Sequence, residues 1–381
     1  MTLVDRKKKS FSTDLKNTIG FAFVKCVRLL RPSVSEGEHA ILCVATTGLG
    51  DSLMITPAIK AIKRANPDLK ITLLVTDSSY EVFRTNADIE RFLFFRKGRG
   101  LFALISDLAR TDFCASLIFH ASDRLVWLLA AAASRATFAG DWQSVSVPQG
   151  LVDKWHHTPD REHRIISHLH TAKLIASNID TSATDMSFNV DPGALRTVQN
   201  WLWADNDEPA PRDLVGIFPG AKDRFKCWSI DNFAEVGRAL EQHGMQIVII
   251  GGGEDDDLVD ALSGRLNEPL VFKESIQDLA ALLSQLLCLV TNDSGPMHLA
   301  LAVDTPVIGL FGPTDALETG PLTSRSRYLT IDKSVTCYPS TLFPISQTQC
   351  FNKQCRNPIC INQISVAEVL EKVSLVRNSK I

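Results

Sequence analysis

The sequence LVTNDSGPMHLALAVDTPVIGLFGPT, residues Leu289–Thr314, decides the fold of this chain. The apolar run Cys288–Val290 is typical of a buried strand, and it ends at the polar turn Asn292–Gly295. Pro296 then stands where a helix can start, since the first helical turn tolerates proline. A second apolar strand follows at Val307–Phe311. The stretch therefore predicts one βαβ unit with a tight polar turn between its first strand and its helix.

This turn suits the phosphates of a bound nucleotide. Free backbone N–H groups, a hydroxyl and the positive end of a helix dipole would lie together there. The alternative is that Asp293 or Ser294 only caps the helix. The turn alone does not decide between the two, so the rest of the chain has to be considered.

Composition indicates an ordinary two-domain globular protein. The chain has 381 residues, of which 45% are hydrophobic and 22% charged, with a net charge of −3. This balance argues against a nucleic-acid partner. No apolar run is long enough to cross a bilayer, and no signal-peptide cleavage pattern is present. Nine cysteines without a secretion signal favour a reducing compartment, so we expect a cytoplasmic protein.

The N-terminal segment, residues 1–35, is strongly basic. Residues 1–31 carry eight Lys or Arg against Asp5 and Asp14, and an apolar stripe at helical spacing predicts an amphipathic helix over residues 11–31. Such a helix either lies on an anionic membrane, here the inner face of the plasma membrane, or packs its stripe on the protein. Both interpretations stay open from the sequence.

A second strand–turn–helix start lies near the beginning of the chain. The strand Ala40–Ala45 is followed by TTGLGD, which contains Thr47, Gly48 and Asp51, and then by an apolar helix. Ligands bind at this edge of open α/β sheets. The glycines do not have the GxGxxG spacing of a dinucleotide site. Asp51 is either a functional carboxylate or a helix cap.

Histidines concentrate in the segment Trp155–His170. They are His156, His157, His163, His168 and His170. Their spacing does not match a compact zinc motif. We therefore expect a polar surface or an acceptor-facing loop here, and no metal.

The α/β pattern restarts after a charged, proline-rich stretch at residues 205–213, which predicts a linker. Strands are predicted at Val215–Phe218 and Gln246–Ile250, each followed by a glycine-containing turn. A helix is expected after Ser275, with that serine as its cap. The chain therefore has two similar open α/β halves, whose glycine-rich edges we expect to face each other across a cleft.

Four turns in this order, TTGLGD, PGAKDRFKCW, GGGE and NDSGPMHLA with FGPT, resemble glycosyltransferase family 9, the heptosyltransferase family. The resemblance covers the chain from about Ile41 onward. It implies the GT-B architecture, with two Rossmann-like domains and the sugar nucleotide held mainly by the second. The corresponding domains are residues 36–204 and 214–365, and residues 366–381 would form a helix that crosses back to the first domain.

The resemblance also implies roles for particular residues. Asp51 matches the general base of an inverting transfer, and Lys226 matches a phosphate-binding lysine that stabilises the departing diphosphate. Asp293 would shape the diphosphate-binding turn. The other implied donor contacts are Thr47, Gly48, Glu254, Ser294, Gly295, His298 and Thr314. No catalytic metal and no cofactor are expected.

The implied donor is ADP-heptose, and the implied acceptor is a lipopolysaccharide-core or other lipid-linked saccharide. The chain departs from the family pattern at Ala45, Cys227 and Ser229, which bears on donor identity more than on the fold. Two alternatives belong to other functional classes. One is a GT-B nucleotide-sugar epimerase or hydrolase, and the other is a non-catalytic sugar-nucleotide-binding protein.

Four cysteines lie close together near the C-terminus. They are Cys337, Cys350, Cys355 and Cys360. Four thiolates can hold a structural zinc ion, although the CxxC pairs of common zinc sites are absent. Reduced thiols are the alternative, and the sequence leaves the choice open.

Overall fold

A computed structural model of the chain describes residues 24, 40–121, 123–141, 150–203, 213–322, 326–330 and 360–379. For residues 327–330 it describes the backbone only. It divides into two compact units, residues 1–184 and 185–381. Each unit is an open α/β sheet with helices, as the sequence predicts.

The first unit contains a six-stranded parallel sheet with the order β3-β2-β1-β4-β5-β6. Its strands are β1 (Ala40–Thr46), β2 (Lys70–Val75), β3 (Arg91–Phe94), β4 (Phe113–Ala121), β5 (Ser134–Gly140) and β6 (Lys154–His156). Its helices are α1 (Leu49–Ala65), α2 (Asp77–Phe83), α3 (Leu101–Arg110), α4 (Arg124–Ala133) and α5 (Arg164–Lys173).

Strand β1 occupies the centre of this sheet, between β2 and β4, and all of its residues are buried. A strand covered on both faces must be apolar throughout, which explains the continuous run AILCVA. The strand order reverses between β1 and β4, so the carboxyl ends of these two strands form the crevice where ligands bind in such sheets. The TTGLGD turn lies directly at this point.

The second unit repeats the same order, β12-β11-β10-β7-β8-β9. Its strands are β7 (Leu214–Phe218), β8 (Gln246–Ile250), β9 (Leu270–Phe272), β10 (Cys288–Asn292), β11 (Val307–Phe311) and β12 (Arg327–Thr330). Its helices are α6 (Pro192–Trp203), α7 (Ile230–Gln242), α8 (Asp256–Ser263), α9 (Ile276–Leu283), α10 (Gly295–Ala302), α11 (Ala316–Thr319) and α12 (Val366–Asn378). Ser275 caps α9 by accepting from the Asp278 amide, as predicted.

Helix α6 belongs to the second unit, whereas the sequence analysis placed its residues at the end of the first domain. Ala194 and Val198 are buried on its inner face, which packs against α9. Its Trp201 ring lies 5.1 Å from the ring of Phe272. The Asp191 amide before it donates to Gln277 Oε1 at 2.9 Å. These contacts draw the helix to the second sheet.

The C-terminal helix α12 also packs within the second unit. Its Val369, Val373 and Val376 are buried in the same core as Phe233 of α7. A helix that packs this apolar face on α7 belongs to the core of the second unit. Ser365 and Glu368 form a capping box that fixes the start of the helix.

Several predictions fall outside the described residues. They concern the basic segment 1–35 apart from Val24, the linker apart from Asp213, and Cys337, Cys350 and Cys355. Val24 is buried in the first unit's core, and Cys360 is buried in the second. Among the residues the structure describes, no helix combines the length and apolarity needed to cross a membrane.

A buried histidine predicts that the first unit loses stability in acid. His168 of α5 is 1% exposed and stands edge-on to Phe119. Burial, with His120 and Arg164 nearby, lowers the pKa of His168 to about 3, against an unfolded value near 6.5. Between those values the unfolded chain binds a proton that the folded chain does not. Stability is therefore complete above about pH 6.5 and falls on acidification by roughly 1.4 kcal/mol per pH unit from this group.

We expect the variant His168→Phe to lack this part of the acid dependence. The measurement is urea denaturation of both proteins at about pH 7 and about pH 5, followed by the fluorescence of the first unit's tryptophans. On going from about pH 7 to about pH 5, the free energy of unfolding should fall more for the native protein than for the variant. Equal losses in the two proteins would contradict this account of His168.

Candidate active site

The second unit's candidate site lies where its strand order reverses, at the carboxyl ends of β7 and β10. Asn292 ends β10 and is completely buried. Its Nδ2 donates to the carbonyl oxygens of Pro219 at 2.9 Å and Gly220 at 3.1 Å, and its Oδ1 accepts from the Trp228 amide at 3.0 Å. One amide side chain therefore ties the turn after β7 to the turn after β10.

Trp228 explains how Lys226 is positioned. The indole is 1% exposed, donates from Nε1 to the Ile364 carbonyl at 3.0 Å and stands edge-on to Phe233. A side chain fixed in this way anchors the segment, and Lys226 lies two residues before it in a short 3₁₀ turn. Its ammonium reaches Asp293 Oδ2 at 3.1 Å.

The Lys226–Asp293 pair carries most of the local electrostatics. The two side chains are 17% and 10% exposed, so solvent screens their attraction only in part. The sequence analysis gave Asp293 a shaping role, because an acid beside a diphosphate is repulsive. The lysine offsets that charge, and the carboxylate in turn directs the ammonium toward the start of α10.

The predicted donor residues Glu254, Ser294 and Gly295 line one pocket of the second unit. Ser294 precedes the first residue of α10 with extended backbone, and its hydroxyl lies 3.0 Å from the Thr291 hydroxyl. Because that hydroxyl makes no capping bond to its own helix, the simple cap reading does not describe it. The amides at the helix start remain available to an anion.

The pocket also contains residues that the sequence analysis missed, namely Lys222, Arg224 and Asp255. Arg224 donates to the Glu254 carbonyl at 3.0 Å and to Asp257 Oδ1 at 2.6 Å. Burial raises the pKa of Asp255, opposed by Arg224 and reinforced by the neighbouring carboxylates. The sequence does contain a signal for these residues, because charged side chains are concentrated in the turns PGAKDR and GGGEDDD.

Gly220 is required by the close approach of Asp255. A Cβ at this position would collide with the Asp255 carboxylate, so any larger residue would displace one wall of the pocket. Cys227, one of the departures from the family pattern, is a buried thiol whose pKa burial raises to about 11. It therefore stays neutral and supplies no cation beside Lys226.

The remaining predicted residues of this unit lie nearby in the fold. His298 is buried in α10, one turn after Ser294. Thr314 follows β11, and its hydroxyl oxygen is buried without a hydrogen-bond partner among the described residues. A buried hydroxyl of this kind costs free energy unless a ligand or water pairs with it.

The first unit brings together its own predicted residues. Asp51 lies in the first turn of α1, and Gly48 stands directly before that helix. The Thr47 hydroxyl donates to Asp51 Oδ2 at 2.9 Å, which orients the carboxylate. The neighbouring Ser52 hydroxyl is buried and lacks a hydrogen-bond partner among the described residues. This geometry fits a positioned carboxylate, and Asp51 does not act as the cap.

The histidine segment does not form a uniformly polar surface. His163 and His168 are buried, and His157 is exposed and pairs with Asp141 at 2.8 Å. His156 and His170 converge on Glu162, a contact that sequence spacing did not reveal.

Comparison with known proteins decides the family. The model of glycosyltransferase family 9 (heptosyltransferase) matches residues 124–342, more than half of the chain. The chain belongs to this family. The match includes three of the four turns on which the sequence resemblance rested, namely PGAKDRFKCW, GGGE and NDSGPMHLA with FGPT, and the chain is a glycosyltransferase.

Individual relatives of family 9 agree in sequence and fold. Lipopolysaccharide heptosyltransferase 3 of Escherichia coli strain K12 is 28% identical over 72% of this chain and 83% of its own length. A family 9 glycosyltransferase from Veillonella parvula superposes with a TM-score of 0.77 at 20% identity, covering 91% of this chain and 100% of its own. The structure of E. coli ADP-heptose lipopolysaccharide heptosyltransferase II superposes with a TM-score of 0.70 at 17% identity, covering 90% of this chain and 99% of its own. The predicted GT-B class with two Rossmann-like units is confirmed.

Proposed function

We propose that this protein transfers a heptose from ADP-heptose to a hydroxyl of a lipopolysaccharide-core or other lipid-linked saccharide, with inversion at the anomeric carbon. The observation that carries the proposal is the second unit's switch point. There the Lys226–Asp293 pair, the N-terminus of α10 and a pocket lined by charged residues lie together, in a chain that belongs to a heptosyltransferase family. Two of the relatives are named as lipopolysaccharide heptosyltransferases, and one of these two is named for ADP-heptose.

The second unit holds the donor in this proposal. The diphosphate binds the Ser294 and Gly295 amides, and Lys226, paired with the adjacent Asp293, supplies a cation. Glu254 takes a ribose hydroxyl, His298 lies one helical turn from the phosphates, and Thr314 faces the sugar. As the glycosidic bond to the nucleotide breaks, negative charge grows on the departing diphosphate. A positioned ammonium stabilises that charge, so no catalytic metal is needed in this mechanism.

The first unit supplies the base. Asp51, held by Thr47, takes the proton from the acceptor hydroxyl as its oxygen attacks the anomeric carbon. Gly48 leaves space at the turn, since no atom lies within 4 Å of a Cβ built there. The proton moves to the carboxylate, the oxygen–carbon bond forms and ADP leaves with its electron pair. The basic N-terminal segment would keep the enzyme near its acceptor at the cytoplasmic face of the membrane.

Nucleotide selectivity tests the donor part of the proposal. Isothermal titration calorimetry of the full chain with ADP, UDP, GDP and CDP should give the tightest binding for ADP, and thermal shift should follow the same order. Equal affinity for the four would show binding to the diphosphate alone. Preference for another nucleotide would contradict ADP-heptose as donor and leave the fold and family unchanged.

A further inference from the structure

A cluster of three ligating side chains lies in the first unit, away from the TTGLGD turn in sequence. His156 ends β6, Glu162 lies in the loop that follows, and His170 is in α5. His156 Nε2 is 2.8 Å from Glu162 Oε2, and His170 Nδ1 is 2.9 Å from Glu162 Oε1. One ligand atom from each of the three residues lies within 4.8 Å of those of the others.

The loop between β6 and α5 is shaped so that Glu162 turns inward. The Glu162 amide donates to the Pro159 carbonyl at 3.1 Å, closing a tight turn. Arg161 within that turn has a φ of 61°, a left-handed conformation that a non-glycine residue adopts at a cost. Thr158 and Ser167 join the loop to α5 with a hydroxyl pair at 3.1 Å. The loop therefore presents the carboxylate to two imidazoles from separate elements.

The burial of the three side chains is graded. Glu162 is 9% exposed, His156 15% and His170 34%. The carboxylate lies deep in the cluster, and the His170 side is open to water. A bound ion would thus have three protein ligands and one position for solvent, the arrangement of many His₂Glu sites.

We propose that His156, Glu162 and His170 bind one divalent transition-metal ion, of which Zn²⁺ fits best. Two imidazole nitrogens with one carboxylate suit zinc and its neighbours in the first row. Magnesium and calcium prefer oxygen ligands throughout, so this set disfavours them. The two His–Glu contacts, at 2.8 and 2.9 Å, need to lengthen only slightly to admit an ion, because ligands about a tetrahedral zinc lie roughly 3.3 Å apart.

The ion would link β6 to α5 and stabilise the first unit, and it would take no part in sugar transfer. It belongs to neither the Lys226–Asp293 pair nor the Thr47–Asp51 pair. Its removal is expected to lower the melting temperature of the protein without changing the affinity for ADP.

The test compares variants of the full chain stripped with a chelator and dialysed against buffered free Zn²⁺. Glu162→Gln and His170→Gln each remove one ligand with little change of volume. His157→Gln is the matched control, since His157 lies in the same segment, is 83% exposed and pairs with Asp141 outside the cluster. Bound zinc per chain is read by elemental analysis, and folding is checked by circular dichroism.

We expect the native chain and His157→Gln to bind one ion more than Glu162→Gln or His170→Gln. The affinity for that ion should fall at least about tenfold in the two ligand variants. Zinc held by the C-terminal cysteines would be common to all four proteins and would cancel. If a variant misfolds, Co²⁺ added to the native chain gives a second readout, a visible absorption without thiolate charge transfer. Equal zinc in all four proteins, or a cobalt spectrum from thiolates only, would overturn the proposal.

Discussion

Replacement of Asp51 by Asn is expected to lower the turnover number for heptose transfer by about 10²–10⁴-fold while leaving the affinity for ADP within about twofold. Asn keeps the size of the side chain and can still pair with Thr47, but it does not accept a proton from the acceptor. The diphosphate and ribose contacts proposed above lie in the second unit, so the substitution leaves them in place. The measurement combines a steady-state transfer assay with calorimetric titration of ADP.

A matched control for Asp51, which lies in the first turn of α1, is an aspartate just beyond the C-terminal end of the same helix. Asp68 is exposed in the turn after α1, and Asp68→Asn should transfer at the native rate. Thr47→Val should lie between the two, because it leaves the carboxylate in place without its 2.9 Å hydrogen bond. Native turnover in Asp51→Asn would remove this residue as the base.

Lys226→Met is expected to lower kcat/KM by about 10²–10³-fold and to weaken ADP binding at least about tenfold. The methionine fills the space of the lysine stem but supplies no charge for the diphosphate. It also leaves Asp293, 10% exposed, without its cation, so part of the loss comes from repulsion between that carboxylate and phosphate. The assays are the same as those for Asp51.

A double variant separates the two causes. In Lys226→Met with Asp293→Asn the repulsion is gone, so ADP affinity should recover only in part if the ammonium contacts phosphate directly. Full recovery would mean that Lys226 serves only to neutralise Asp293. Lys273→Met is the control, since Lys273 is a paired surface lysine whose partner is Asp256 at 2.7 Å. It should leave both assays unchanged.

The sequence predicts well those strands that are buried on both faces and those caps that depend only on neighbouring residues. Strands β8 and β11 run over Gln246–Ile250 and Val307–Phe311, the predicted bounds, because a strand covered on both faces is marked by a continuous apolar run. Ser275 caps its helix as expected, because that signal is local. The turns after β1 and β10 were likewise found from glycine and polar residues at strand ends.

The sequence is less informative where an apolar face could pack in more than one place, as the assignment of α6 to the first domain shows. Helices α6 and α12 have apolar faces, but a pattern of apolar residues does not specify which core receives them. Only tertiary contacts, such as Trp201 on Phe272, decide the matter. The prediction of the site has the same limit. Lys226 was identified from its motif, but its pairing with Asp293 joins residues that are far apart in the sequence.

The histidine segment shows the limit most clearly. Spacing along the chain argued against a metal, since no two of the histidines form a compact zinc motif. The convergence of His156 and His170 depends on Glu162 and on the turn at Pro159, so it becomes visible only in three dimensions. Zinc motifs read from sequence assume ligands on one short element, and these ligands come from a strand, a loop and a helix.

The central claim is that this family 9 protein moves a sugar from a nucleotide to an acceptor hydroxyl. The most direct measurement is ADP release from ADP-heptose by the native protein, with and without a heptose-deficient lipopolysaccharide acceptor, together with mass spectrometry of the acceptor. The account predicts ADP release that depends on the acceptor and an acceptor heavier by one heptose for each ADP. ADP release at full rate without acceptor, or an acceptor of unchanged mass, would contradict it.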